Sequence, residues 1–245
     1  MPRYVALVFV ALLALASPVF AQVAWDASGG CNQYGTSATC ALTVSGTNRL
    51  LVVQITMDPG TDPSTATCTY DSVSMSTTFN DYSNTNRPVA VRHLIAPNTG
   101  THDIVCSEGG NRAWAVNAAS FTGAHQTTPM GSQSVQDGSA GGTSGSVSIS
   151  SAAGDMVLGF LVTTNGVTDA APDASATTVR TQFSDGDGQN MSGMSYWTGA
   201  ASRSMGWSWT AYANYMVWGI NIAQASGGGG GCTGALTLLG VSKCG

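Results

Sequence analysis

The 245 residues contain only 8 Lys+Arg against 13 Asp+Glu, so charged residues make up 9% of the chain, against roughly a quarter in ordinary soluble domains. Gly reaches 31, Ser and Thr are nearly as frequent, and Glu and Lys occur once each, which removes the material of solvated helix faces and excludes an all-α fold. The net charge of −5 comes with no basic cluster, so neither nucleic acid nor an anionic membrane surface is an expected partner.

In chain order, Arg3 precedes an apolar stretch at 5–15, and Val19-Phe20-Ala21 fits a small-residue cleavage site. This predicts a secretory signal peptide over 1–21, cut after Ala21. The stretch is short for a bilayer span and no second one follows, so no membrane span is expected and the protein is placed outside the cell or at its surface. Six cysteines in an exported chain predict disulfides. Among the connectivities six cysteines allow, the spacing favours neighbours: Cys31 with Cys40, Cys68 with Cys106, Cys232 with Cys244. A zinc site would need CxxC or Cys/His clusters, whereas His93, His102 and His125 are scattered.

The segment 49–57 puts Leu51, Val53, Ile55 and Met57 on one face and the polar Gln54 and Thr56 on the other, the period of a half-buried strand. Similar alternation returns at 89–95, 112–121, 146–149, 155–164, 203–210 and 215–222, with no amphipathic helix between. Turn-forming residues at 58–63, 98–100, 108–111 and 138–145 punctuate these strands. The pattern predicts an all-β, two-layer antiparallel β-sandwich of the jelly-roll kind over 22–225, with 138–145 as a long loop inside one domain. Ser226 and five glycines then form a flexible linker at 226–231, followed by a short apolar tail at 232–245 that a Cys232–Cys244 bridge would close. The tail reads either as a knob packed on the domain or as a docking or sorting element that a neighbouring subunit or another partner covers, giving a homo-oligomer or surface assembly.

The segments Asn48-Arg-Leu-Leu-Val-Val53, Cys68-Thr-Tyr-Asp-Ser-Val-Ser-Met75, Leu94-Ile-Ala-Pro-Asn-Thr-Gly-Thr-His102, Ser151-Ala-Ala-Gly-Asp-Met-Val157 and Thr198-Gly-Ala-Ala-Ser-Arg-Ser-Met-Gly-Trp-Ser-Trp209 carry turn and core motifs. Together with 118–130 they resemble a family of exported bacterial and viral β-sandwich domains of generally unknown function. The resemblance spans about residues 40–223; it implies a fold and a location and brings no catalytic residue. The cysteines and the Gly-linked tail depart from it.

Chemistry is sparse in the sequence. A glycosidase needs two carboxylates flanking the bond, and the one glutamate, Glu108, lies in a Ser-Glu-Gly-Gly run that reads as a solvated turn. No nucleophile elbow, HExxH or phosphate-loop pattern occurs, so no enzyme is expected. Asp185, Asp187 and Asn190, in Ser-Asp-Gly-Asp-Gly-Gln-Asn, offer alternate oxygen ligands to calcium, although the third carboxylate and the distant Glu of an EF-hand loop are missing; an Asx-rich turn is the competing reading. Trp207, Trp209 and Trp218 read as core, while Trp197, Tyr212 and Tyr215, near strand ends with Tyr196, could form a glycan-stacking platform. The leading expectation is a secreted, non-catalytic structural or adhesive protein, and the alternative is a carbohydrate-binding module.

Overall fold

The computed structural model describes residues 22–83, 86–164, 166–174, 176–184 and 190–225. The expected leader at 1–21, the expected linker at 226–231, the tail with Cys232 and Cys244, and the ligand candidates Asp185 and Asp187 lie outside them. The described chain is all-β and forms two antiparallel sheets, and its one helical element is a single 3₁₀ turn, Pro63–Thr65.

The first sheet uses β1 (Ala24–Val44), β2 (Leu50–Met57), β3 (Thr67–Tyr70), β4 (Val73–Ser74), β5 (Ser76–Asp81), β6 (Val89–Ile95) and β7 (Gly100–Thr122). The second uses β8 (Met130–Ile149), β9 (Met156–Thr163), β10 (Ala171–Pro172), β11 (Thr177–Ser184), β12 (Met191–Thr198) and β13 (Arg203–Ile222). The two sheets repeat one plan. In the first, the order is β4-β3-β7-β2-β6-β5 with β1 along β7; in the second it is β10-β13-β9-β12-β11 with β8 along β13. Each half therefore has a long strand pair, a short central strand and a flanking hairpin in the same connectivity, and no strand of one sheet is shared with the other.

In each half the long strand pair doubles back. Cys31 and Cys40 are nine residues apart on β1, a span of about 30 Å in an extended strand, yet their Cα atoms are 5.5 Å apart across a disulfide. The ladder with β7 slips between Gly35 and Ser37, where Ser107 and Arg112 bracket the corner. The second sheet turns its corner in the same place, between the Gly142–Ala213 and Ser144–Ser208 pairs. Indole N–H groups hold both corners: Trp114 Nε1 donates to the Gly35 carbonyl at 2.9 Å and Trp209 Nε1 to the Gly142 carbonyl at 3.0 Å. Glutamines then clasp the free edge beyond each corner. Gln33 Oε1 accepts from the Thr39 amide at 2.7 Å, and Gln136 Oε1 from the Ser146 amide at 2.6 Å.

The segments 108–111 and 138–145 thus lie inside β7 and β8, not in loops as their Gly/Ser content suggests. Glycine in a strand marks a sharp bend or a close approach. At 138–145 the second reason is visible: a Cβ at Gly138 or Gly145 would collide with the Tyr215 ring. Gly141, at φ +80°, also faces the Tyr212 ring.

Three apolar layers result. The first lies inside the folded first sheet and joins Leu51, Val53, Ile55 and Met57 to Leu42, Tyr70, Cys68, Cys106 and Trp114. The second lies between the sheets and joins Leu50, Val52 and Phe121 to Leu158, Phe160, Trp218 and Ile220. The third lies inside the second sheet and holds Val157, Leu161, Trp197, Met205, Trp207, Trp209 and Tyr215. β2 is buried along its whole length, so its expected polar face is covered too. There Gln54 Nε2 donates to the Leu161 carbonyl at 3.0 Å, and Asn117 Nδ2 donates to Gln54 Oε1 and Ser192 Oγ. Backbone bonds from Val23 N to Gly154 O and from His125 N to Ala223 O tie the sheets at one end.

Candidate functional site

Two of the three expected bridges are formed. Cys31–Cys40 locks the first corner, and Cys68–Cys106 joins directly opposed residues of β3 and β7. Both sulfur pairs pack in or against the first core.

The expected aromatic platform does not assemble from Trp197, Tyr212 and Tyr215. Trp197 is 1% exposed, because β12 is an interior strand, and its Nε1 donates to Asp173 Oδ1 at 3.1 Å. Tyr215 is 7% exposed; it fills the glycine cradle of β8 and meets Trp209 edge to face at 5.0 Å. Tyr212 remains outside, 67% exposed at the second corner, its hydroxyl donating to the Ala140 carbonyl.

A different aromatic pair reaches the surface through Trp25, its partner Tyr196 being half-buried against the core between the sheets. Trp25, 43% exposed at the start of β1, lies against Tyr196 of β12 with ring centroids 6.5 Å apart and planes 13° from parallel. One ring comes from each sheet, so the pair forms only when the two halves dock. Asp26, next to Trp25, holds the other side of this corner: its carboxylate accepts from the Ser45 amide at 2.9 Å, from the Ser45 hydroxyl, and from Ser120 Oγ at 2.7 Å. Burial opposes its ionisation, but these donors outweigh burial and hold its pKa below the ordinary value. Local sequence does not mark Trp25, which is one isolated aromatic in a largely polar stretch. Its partner is 171 positions away in the numbering.

Of the calcium candidates, only Asn190 lies among the described residues. Asn190 is buried, and its Nδ2 donates to the Met57 carbonyl at 3.0 Å, across the sheets. No group of three or more His, Cys, Asp or Glu suited to a metal occurs among the described residues.

The histidines are engaged locally. His102 Nδ1 lies 3.1 Å from Asp71 Oδ1 and its Nε2 3.1 Å from the Thr99 carbonyl, so neither nitrogen is turned toward the Ser72 that lines the same groove of about 370 Å³ with Thr69, Thr101 and Asp103. A second groove of about 370 Å³ on the other sheet is lined by Ser144, Ser146, Ser204, Ser208, Gln136 and Asp173. The Asp173 carboxylate is committed to Trp197 and to the Gly206 amide. His125 caps its own turn, Nδ1 accepting from the amides of Thr127 and Thr128. Glu108 is not a solvated carboxylate: in β7 its Oε2 accepts from the Gly110 amide and from Arg112 Nε.

His93, on β6, has its Nδ1 2.7 Å from Thr78 Oγ1, and burial lowers its pKa from 6.5. The folded state therefore resists a proton that the unfolded chain accepts. The stabilisation is complete above 6.5 and is lost as pH falls through that value toward the lower folded one. The expected result is a urea midpoint that drops between about pH 7 and about pH 5, with His93→Gln flattening that part of the profile.

No family model, curated protein or solved structure matches the chain. What defines it is its own architecture: an all-β protein of two similarly connected antiparallel sheets. No described helix is long and apolar enough to cross a membrane.

Proposed function

We propose that the chain is an exported, non-catalytic structural or adhesive protein of the cell surface or of an extracellular assembly. One observation carries this reading: the Cys31–Cys40 bridge locks the doubling-back of β1, a covalent device that persists in oxidising compartments and is rare in reducing ones. In this reading the two sheets together make one β-sandwich of the jelly-roll kind over 22–225, the leader at 1–21 directs export, and the tail at 232–245 serves attachment or assembly. Low charge and exposed Ser, Thr and Gly suit a body that spaces or presents rather than transforms.

Cell fractionation with intact-mass analysis tests it. The expected result is an oxidised protein in the medium or on the cell surface, beginning at Gln22. A reduced protein retained inside the cell with Met1 in place would overturn the proposal.

The surface pair of Trp25 and Tyr196 favours glycan binding as a second reading, since two near-parallel rings offer a stacking surface for a sugar face. On a glycan array, the purified chain is expected to retain a neutral oligosaccharide, and Trp25→Ala to lose it without a change in melting temperature. Equal retention by wild type and variant would remove this pair from any binding role.

A further inference from the structure

The free strand edges of the two sheets are guarded unequally. β4 and β10 are two residues long, and Pro172 in β10 has no amide to offer. β5 is short, ends in Asp81 and is bulged between Thr77 and Phe79. β1 carries Asp26 and has β11 beside it. Sheets commonly blunt their edges in these ways, with short strands, Pro, charges, bulges or a covering element.

β8 has fewer of these protections, the clearest being an irregularity of its ladder between Met130 and Gln133. Its 20 residues pair only with β13 among the described strands. It contains no Pro, Lys or Arg, and its one ionisable side chain, Asp137, is paired with Arg87 of the same chain. Gln136 clasps the stretch beyond the corner at Ser146; the stretch before the corner, 130–138, has no such clasp. Val135, in the middle of that stretch, is 49% exposed.

We propose that this stretch of β8 is the docking edge for the β8 of a second copy, paired antiparallel about a two-fold axis near Val135. A strand edge is completed by another strand, which supplies the matching amides and carbonyls. A single strand meeting its own copy antiparallel is self-complementary, so one surface suffices for a closed dimer. Charge favours the same occupant: Asp137 is compensated within its own chain, so two copies meet without facing like charges. The exposed Val135 is then covered by the same residue of the second copy, and the two six-stranded sheets become one continuous sheet. This goes beyond the adhesive reading and does not depend on it; it assigns the pairing of two copies to β8 and leaves attachment to the tail.

Sedimentation velocity on the full mature chain over a concentration series tests the proposal. The expected result is a concentration-dependent dimer. Val135→Lys, an exposed substitution, is expected to weaken the dimer at least about tenfold by opposing like charges while leaving the melting temperature unchanged. Val135→Glu, which faces its own copy in the same way, gives the same result should Val135→Lys fail to fold. Deletion of 226–245 is expected to leave the dimer intact. A wild-type chain that stays monomeric throughout, charged variants at Val135 that dimerise like wild type, or a dimer lost on tail deletion would each overturn the assignment.

Discussion

Replacing Cys68 and Cys106 together by Ala is expected to lower stability by about 4 kcal/mol, the chain-entropy value for a loop of this length. The two residues are 38 apart in sequence and directly opposed between β3 and β7, so without the bridge the unfolded chain regains the freedom of a long loop. Both sulfurs are also buried in the first core, where truncation leaves unfilled volume and adds to the loss. The Cys31–Cys40 bridge closes a loop of only 9 residues, and the expected cost of replacing both cysteines by Ala is about 2.5 kcal/mol. Urea unfolding of the two double variants at fixed pH checks the order. A larger loss from the shorter loop would mean that this bridge also stabilises the native corner of β1 well beyond what Trp114 and Gln33 supply.

The alternation of apolar residues was enough to locate β2, β6, β9 and most of β13, because each places one side-chain row in a core. It was not enough to say what covers the other row. Gln54 and Thr56 have the sequence pattern of a solvated face, yet the second sheet lies over them and both are fully buried. Only long-range packing determines that, and β2 has no local feature that signals it. Glycine was misleading for a physical reason: in Gly138, Gly141, Gly142 and Gly145 the missing side chains make room for Tyr212 and Tyr215 against a bent strand, whereas the same residues in isolation spell a loop. The duplicated plan was hidden because the two halves solve the same corner with different residues, a disulfide and Trp114 in one, Tyr215 in a glycine cradle and Trp209 in the other. Of the candidate sites, two local cysteine pairs were legible from spacing, but the Trp25 and Tyr196 pair requires both sheets to be in place and has no trace in local sequence.

The contact between the halves gives the second large effect. Arg87, in the connection between β5 and β6, is fully buried, and its carboxylate partner Asp137 comes from β8 of the other sheet. Burial lowers the Arg87 pKa from its ordinary value, opposed chiefly by the Asp137 charge and then by Asp81. Nε and Nη1 of Arg87 have no hydrogen-bond partner among the described residues, so the guanidinium leans heavily on this one carboxylate. Asp137→Ala leaves a buried cation stranded, and the expected loss is about 3 kcal/mol, the low end of the range for broken buried pairs because Asp137 is itself partly open to solvent. Arg87→Met removes the charge that needs compensation and keeps much of the buried stem, so its expected loss is smaller. Added to Arg87→Met, Asp137→Ala is then expected to cost under about 1 kcal/mol, a strong coupling in a double-mutant cycle measured by urea unfolding. Losses that simply add would mean that solvent reaches Arg87 and that the sheets are oriented by the Phe79, Trp218 and Phe160 stack and the Gln54 and Asn117 hydrogen bonds alone.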